Sequence, residues 1–290
     1  MDNVPFAFTE SVISQIYEDS YTASLSELAS PAWNKLRPFL DSESNIFWLN
    51  IYFLVECGSW EYCFEPIRGG KIEFNSYNKI SRLCFLKDAH AVLLNRRTSR
   101  KAITTEYLFS KLIPFAASRL THKSCLDLLS TDVDLSRLDF RGRWFYSVMI
   151  TYSGPESEGF LKTHIRSGHL EELELYGVWP KTSKPLILRF FKSRNPTYFG
   201  SSYDSSINTT DGSFVKCLIA RLANGTLSPE SQFKLALSKK DLKALRKYCK
   251  SLSKYANRFS STLSWESAGV ELSVDVDYSF VLCQTKVSEN

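Results

Sequence analysis

The residues with side chains able to do catalysis or bind a metal are scattered along this sequence. There is no C-x-x-C pair, no H-E-x-x-H pair, nucleophile elbow, Walker-type loop or glycine-rich dinucleotide motif, so the spacings that common catalytic and zinc sites need are missing. We therefore predict no catalytic residue, no metal and no cofactor, and a protein that is not an enzyme. The residues considered are the histidines at 90, 122, 164 and 169 and the cysteines at 57, 63, 84, 125, 217, 249 and 283.

The same cysteines indicate a compartment. An odd number of separated cysteines is typical of reduced, mostly buried thiols in an intracellular protein. The sequence shows no basic leader and no apolar run of the roughly 18 residues that a membrane helix needs. These features predict a soluble protein of the cytoplasm or nucleus, without a membrane partner.

Two clusters of positive charge, at residues 96–101 and 239–250, have the chemistry to contact phosphate. The net charge is only +5, however, and the second cluster carries leucines at helical spacing, as an ordinary amphipathic helix would. Nucleic-acid binding is therefore the alternative and not the favoured function. Its candidate residues are Arg96, Arg97, Arg100, Lys243, Arg246 and Lys247.

The elements that would position these side chains alternate between strand and helix. From residue 145 onward the apolar periodicity predicts a strand near 145–151, a helix near 156–167, a strand at 170–175, a helix near 183–193, a strand near 197–201 and a helix at 211–223. From Val148 to Leu173 is 25 residues, and from Leu173 to Phe199 is 26. This period indicates βα repeats of the leucine-rich type, in which each unit stacks on its neighbour.

The stretch HLEELELYGVWP, residues 169–180, is one such predicted repeat. Leu170, Leu173 and Leu175 have the spacing L-x-x-L-x-L, and the same spacing occurs at ISRLCF, LSRLDF and FYSVMI. The repeat pattern favours Asn or Cys at position 178, where this sequence has Val178. We predict an inward row of leucines, with Glu171, Glu172 and Glu174 turned outward on a surface.

Three further segments complete the prediction. The apolar run from Ile46 to Val55 fits either a buried helix or a buried strand. Residues 103–120 have helical spacing, and Pro114 would kink this helix or end its first part. The strict alternation after residue 261 predicts a β-hairpin that turns near residues 267–269.

The N-terminal stretch VPFAFTESVISQIYEDSYTASLSELASPAWNKL resembles a degenerate F-box. Together with HLEELELYGVWPKTSKPLILRFFKSRNPTYF and the terminal hairpin, it makes the chain similar to the expanded nematode F-box-like and F-box-associated families. The resemblance implies docking on the Skp-family adaptor of a cullin-RING ubiquitin ligase. The positions that match are Val4, Pro5, Val12, Ile13, Ile16, Leu25, Leu28 and Trp33.

The predicted fold class is α/β. An N-terminal helical F-box-like unit over residues 1–40 precedes irregular leucine-rich-like βα repeats over residues 41–290, which end in the hairpin. The first unit could equally be a helical cap on the first repeat. The favoured function is recognition of an unknown protein substrate, as the substrate-recognition subunit of a ubiquitin ligase. The alternatives are an RNA-binding module and an enzyme whose residues meet only in three dimensions.

Overall fold

The computed structural model describes residues 46–67, 78–87, 100–201, 213–236, 262–267, 270–276 and 280–287. These residues form a mixed α/β protein, as predicted. The chain divides into unit 1, which is Met1–Cys125 with Leu138–Arg143, and unit 2, which is Leu126–Arg137 with Trp144–Asn290. The predicted F-box-like unit, with all its adaptor-binding positions, lies outside the described residues.

Unit 1 is built around a sheet with the strand order β5-β3-β1-β2-β4. Strand β1 pairs with β2 on one side and β3 on the other. Its residues 49–52 are buried in succession, so both faces of the strand are covered there, which explains the continuous apolar run. The segment from Ile46 is therefore a strand. The elements are β1 (Ile46–Leu54), β2 (Ser59–Pro66), β3 (Lys79–Lys87), β4 (Lys101–Ile103), α1 (Thr105–Tyr107), a π turn (Leu108–Leu112), α2 (Ile113–Arg119) and the first part of β5 (Leu120–Leu128).

The predicted helix at 103–120 is present, but in three pieces. The side chain of Thr104 caps α1 by accepting a hydrogen bond from the backbone N–H of Tyr107 at 3.1 Å. A π turn then leads into α2, and Pro114 lies in the first turn of α2. The π turn shifts the backbone hydrogen bonds directly before this proline, with the Ile113 N–H donating to the Leu108 carbonyl oxygen, and such an interruption accommodates a residue that has no N–H. Pro114 thus lies where the first part of the helical stretch ends and α2 begins, in agreement with the prediction.

Unit 2 contains the predicted alternation of strands and helices. Strands β6 to β9 pair parallel in chain order, with one helix between each pair, and β9 continues into antiparallel pairing with β12, β11 and β10. The elements are β6 (Ser147–Thr151), α3 (Pro155–Ser167), β7 (Glu172–Tyr176), α4 (Lys184–Phe191), β8 (Tyr198–Ser201), α5 (Ser213–Ala223), β9 (Gln232–Ala236), β10 (Thr262–Ser267), β11 (Val270–Val276) and β12 (Phe280–Val287). The predicted hairpin corresponds to β10 and β11, paired from Thr262–Asp275 to Ser267–Val270.

The core of unit 2 follows the strand register. Val148, Leu173, Phe199 and Phe233 align across β6 to β9, and all four are fully buried. The Phe191 ring of α4 lies 5.2 Å from the Phe199 ring, 5.1 Å from that of Phe214 in α5 and 5.3 Å from that of Phe233, centroid to centroid. The helices therefore pack on this face of the strands, and the inward leucine row of β7 is confirmed.

One of the stretches that share the repeat spacing lies outside the strands. The stretch LSRLDF does not form a strand, because a short 3₁₀ helix, Leu135–Arg137, and a turn replace it. The carboxylate of Asp134 accepts from the backbone N–H of Ser136 at 3.1 Å, and that of Asp139 accepts from the N–H of Arg141 at 2.7 Å. Aspartate side chains that bond nearby backbone in this way favour turns over strands.

The turn after β7 also departs from the repeat pattern. Val178 is exposed, and the neighbouring Trp179 is fully buried. The indole N–H of Trp179 donates to the carbonyl oxygen of Tyr176 at 2.9 Å. Trp179 thus provides the side-chain hydrogen bond to the turning backbone that the pattern assigns to an Asn or Cys at position 178.

Candidate functional site

The outward side chains of β6 to β8 form a surface opposite the helical core. Residues alternate between the two faces of a strand, so the burial of Leu173 and Leu175 places Glu172, Glu174 and Tyr176 on the other face. The register aligns Met149 with Glu174 and Gly200, and Glu172 with Tyr198. We call this surface the strand face and define it as Met149, Glu172, Glu174, Tyr176, Tyr198 and Gly200. All of these except Gly200 are partly exposed.

Two tyrosines and one glutamate are interlocked on the strand face. The Tyr176 hydroxyl donates to Oε1 of Glu174 at 2.8 Å. A Cβ atom placed on Gly200 would lie 3.0 Å from the Tyr198 hydroxyl oxygen and 3.2 Å from Cγ of Glu174. The Tyr198 side chain therefore leans along its own strand and lies, with Glu174, over Gly200. The absence of a side chain at residue 200 is what leaves room for this arrangement.

The strand face is electrically negative. Burial raises the pKa of Tyr176 to about 12, and the hydrogen bond and charge of Glu174 add to that rise. Burial likewise raises the pKa of Tyr198, with further contributions from Glu174 and Glu172. The phenols therefore stay protonated at neutral pH, as hydrogen-bond donors and aromatic rings beside the side chains of Glu172 and Glu174.

One more phenol and one more carboxylate lie close to the strand face, and a basic residue is present on β9. Burial raises the pKa of Tyr146, and the charges of Glu172 and Glu171 raise it further. The Tyr146 phenol, directly before β6, therefore lies near both of these carboxylates. Asp127, almost fully buried on β5, contributes to the raised pKa of Tyr176. On β9, the basic residue Lys234 follows Phe233, the partner of Phe199 in the register.

The chemistry of this surface is that of binding. It offers carboxylates and phenol rings but no histidine, cysteine or serine arranged as a nucleophile with a base. Across the described ranges, no group of three or more His, Cys, Asp and Glu side chains is placed to hold a metal ion. The strand face is thus suited to attract a cationic group and to stack against it.

The histidines that we considered for chemistry do not gather at a site. His164 is buried in α3, where its ring packs against Trp144, Phe145 and Phe160. Its Nδ1 lies 3.1 Å from the carbonyl oxygen of Phe160, and burial lowers its pKa. His122 and His169 are exposed. Histidine 90 and cysteine 249 lie outside the described residues.

Of the residues assigned to nucleic-acid binding, the described ranges include Arg100. Its guanidinium carbon lies 4.1 Å from the centroid of the Tyr52 ring, and Nη1 lies 3.7 Å from Oε2 of Glu61. Arg100 is therefore held by an internal ring and carboxylate in unit 1, which does not favour a role in contacting phosphate. Arg96, Arg97, Lys243, Arg246 and Lys247 lie outside the described residues.

Unit 1 contains an open groove. It is lined by the edge strand β4 together with Thr104 and two tyrosines, Tyr62 and Tyr107. The polar side chains of this lining are Lys101, Thr104, Tyr62 and Tyr107.

Comparison with known proteins gives no match: no family model, no curated protein and no solved structure is similar to this chain. In the part of the chain that the structure describes, no helix has the length and apolar character to cross a membrane.

Sequence reasoning placed Glu172 and Glu174 on a surface but missed the tyrosines and the glycine beside them. The signal was present in ELELY and TYFG, where acidic, aromatic and glycine residues occupy the outward positions of two predicted strands. What it lacked was the lateral register, which brings Glu174 next to Gly200.

Proposed function

We propose that this protein binds another protein through the strand face. The observation that carries the proposal is the arrangement of Tyr176, Glu174 and Tyr198 around Gly200. Large aromatic side chains held in place by packing are the usual anchors of protein interfaces. Parallel βα arrays commonly use an extended sheet surface for binding, because the helices already cover the opposite face.

We further propose that the parallel strands β6 to β9 and their helices act as the substrate-capturing part of a ubiquitin ligase subunit. The support is the resemblance of the first 40 residues to an F-box, followed in the chain by leucine-rich-like βα units. In this proposal the Skp-family adaptor binds at the positions that include Pro5, Ile13 and Ile16, and the strand face receives the substrate.

Binding of RNA fits the structure less well. Carboxylates on the strand face repel phosphate, and Arg100 is engaged by Tyr52 and Glu61. RNA retention that falls with salt and is lost when Lys243, Arg246 and Lys247 are replaced by Ala would favour this alternative.

Charge reversal on the strand face tests the proposed binding. The double variant Glu172→Lys/Glu174→Lys should lose protein partners that the unaltered chain retains from a cell extract. The control Glu156→Lys/Glu158→Lys changes the net charge equally but lies in the first turn of α3. Because it leaves the strand face intact, the control should retain the same partners.

Quantitative mass spectrometry of the retained proteins is the measurement. Circular dichroism and thermal unfolding of each variant exclude misfolding, and the milder variant Glu172→Gln/Glu174→Gln provides a second test if charge reversal unfolds the chain. Equal retention by the unaltered chain and a folded strand-face variant would contradict the proposal.

The adaptor docking has a separate test. Co-purification with a Skp-family adaptor should be lost in the variant Ile13→Asp/Ile16→Asp, because charged residues cannot replace apolar docking side chains. If the unaltered protein does not bind the adaptor, the ubiquitin-ligase proposal fails, while protein binding by the strand face is unaffected.

A further inference from the structure

We propose that the strand face recognises two arginine side chains, two residues apart in sequence, on an extended segment of the partner protein. This inference rests on the proposed function, because it names the chemical group that the protein-binding surface takes.

The charge of the surface selects a cation. Glu172 and Glu174 are partly exposed and lie beside Tyr198, whose ionisation they both oppose. Glu171 precedes them in the chain, and Asp127 lies near Tyr176. On β9, Lys234 follows Phe233, which pairs with Phe199 of β8. The two glutamates of β7 give the strand face its negative charge, and a basic segment is the complementary partner.

The aromatic rings select arginine over lysine. Tyr198 leans over Gly200 beside Glu174, so a ring and a carboxylate lie next to each other on the sheet. A guanidinium is planar and can stack on a ring while its N–H groups bond a carboxylate. The ammonium of lysine is a strongly hydrated point charge, which gains less from both contacts.

The chain itself contains an example of this recognition. In unit 1 the guanidinium of Arg100 lies 4.1 Å from the Tyr52 ring centroid and 3.7 Å from the Glu61 carboxylate. On the strand face, Tyr198 and Glu174 likewise place one phenol ring beside one carboxylate. Neither β7 nor β8 contains an arginine that could bind there.

The spacing of the carboxylates sets the spacing of the arginines. Glu172 and Glu174 are two residues apart on β7, so their backbone positions are separated by about 7 Å. An extended partner segment repeats its side chains on one face at the same interval. An Arg-x-Arg segment therefore presents one guanidinium to each carboxylate.

The experiment uses the full-length protein and three labelled nonapeptides on a glycine–serine scaffold. They carry Arg-Ser-Arg, Lys-Ser-Lys or two citrullines at the same positions, and binding is measured by fluorescence anisotropy. The Arg peptide should bind about ten-fold more tightly than the equally charged Lys peptide, the difference expected for one charge-assisted hydrogen bond. The uncharged citrulline peptide should not bind.

Three variants locate the contact. Glu174→Gln should lower the affinity for the Arg peptide by about ten-fold. Tyr198→Leu should lower this affinity by about three-fold, through loss of the stacking ring. Gly200→Ala should weaken binding as well, because Tyr198 and Glu174 must each shift by a few tenths of an ångström to make room for the new Cβ. The control Glu158→Gln, on α3, should leave the affinity unchanged.

Equal affinity for the Arg and Lys peptides would overturn the choice of guanidinium. No binding of either peptide, or binding that Glu174→Gln does not alter, would overturn the inference altogether. In both cases the partner-retention experiment with Glu172→Lys/Glu174→Lys still reports separately whether the strand face binds protein.

Discussion

Replacement of Trp179 by Phe tests whether an indole hydrogen bond holds the turn that follows β7. Trp179 is fully buried and packs against Tyr152 with ring centroids 5.1 Å apart. Its indole N–H donates to the Tyr176 carbonyl oxygen at 2.9 Å. Phenylalanine keeps an aromatic ring in the core but removes this donor. The change therefore isolates the hydrogen bond more cleanly than truncation to Ala.

The expected cost of Trp179→Phe is about 1.5–2.5 kcal/mol. The Tyr176 carbonyl oxygen keeps a second hydrogen bond, from the Tyr152 backbone N–H at 3.0 Å, so it is not left without a partner. Loss of the indole hydrogen bond therefore costs about 0.5–1.5 kcal/mol. The smaller ring leaves space unfilled, which adds about 1 kcal/mol at the usual cost per unit of cavity volume.

Urea unfolding followed by circular dichroism measures this cost. The matched control is Val178→Asn, which installs the residue of the repeat pattern at an exposed position and should change stability by less than about 0.5 kcal/mol. A loss below about 0.5 kcal/mol in Trp179→Phe, or a clear gain in Val178→Asn, would refute the role that we assign to Trp179.

Three other predictions follow. Phe191→Ala should destabilise unit 2 by about 3–5 kcal/mol, because it empties a fully buried site between three phenyl rings; a fall below 2 kcal/mol in urea unfolding would contradict this packing. Burial lowers the pKa of His164 in the folded protein below its ordinary 6.5. At a pH between the folded and unfolded pKa values, only the unfolded chain binds a proton at this residue. The free energy of unfolding should therefore decrease as the pH falls through this range. His164→Gln should flatten the decline in melting temperature between pH 7 and 5, whereas the exposed-site control His122→Gln should keep it, and identical profiles would refute the prediction. Arg221→Met should cost about 1–3 kcal/mol in the same urea assay, because its guanidinium donates to the carbonyl oxygens of Ser193, Arg194 and Thr226; an unchanged midpoint would contradict this role.

Much of unit 2 could be predicted because local pattern and tertiary structure agree. The apolar spacing around Leu173 identified β7, and the intervals of 25 and 26 residues equal the lateral register of Val148, Leu173 and Phe199. Helix α5 followed from the stripe that includes Phe214 and Leu218, both buried. In these segments one periodicity determines both the element and its inward face.

The rest depended on contacts between residues distant in the sequence. Neither the stacking of Arg100 on Tyr52 nor the meeting of Glu174 with Tyr198 over Gly200 has a local signal. At LSRLDF the apolar spacing was present, but the aspartates at 134 and 139 stabilise turns, and this local hydrogen bonding prevailed. Apolar spacing of this kind therefore predicts a repeat strand only where turn-forming residues such as aspartate are absent.

The central claim, that the strand face binds a protein, is tested most directly by site-specific photo-crosslinking in cells. A photoreactive phenylalanine analogue replaces Tyr198 in one variant and Tyr176 in another, with exposed Lys162 of α3 as the control position. We predict that a discrete protein is crosslinked from residues 198 and 176 and not from residue 162. Crosslinking from residue 162 alone, with none from the strand face, would contradict the claim.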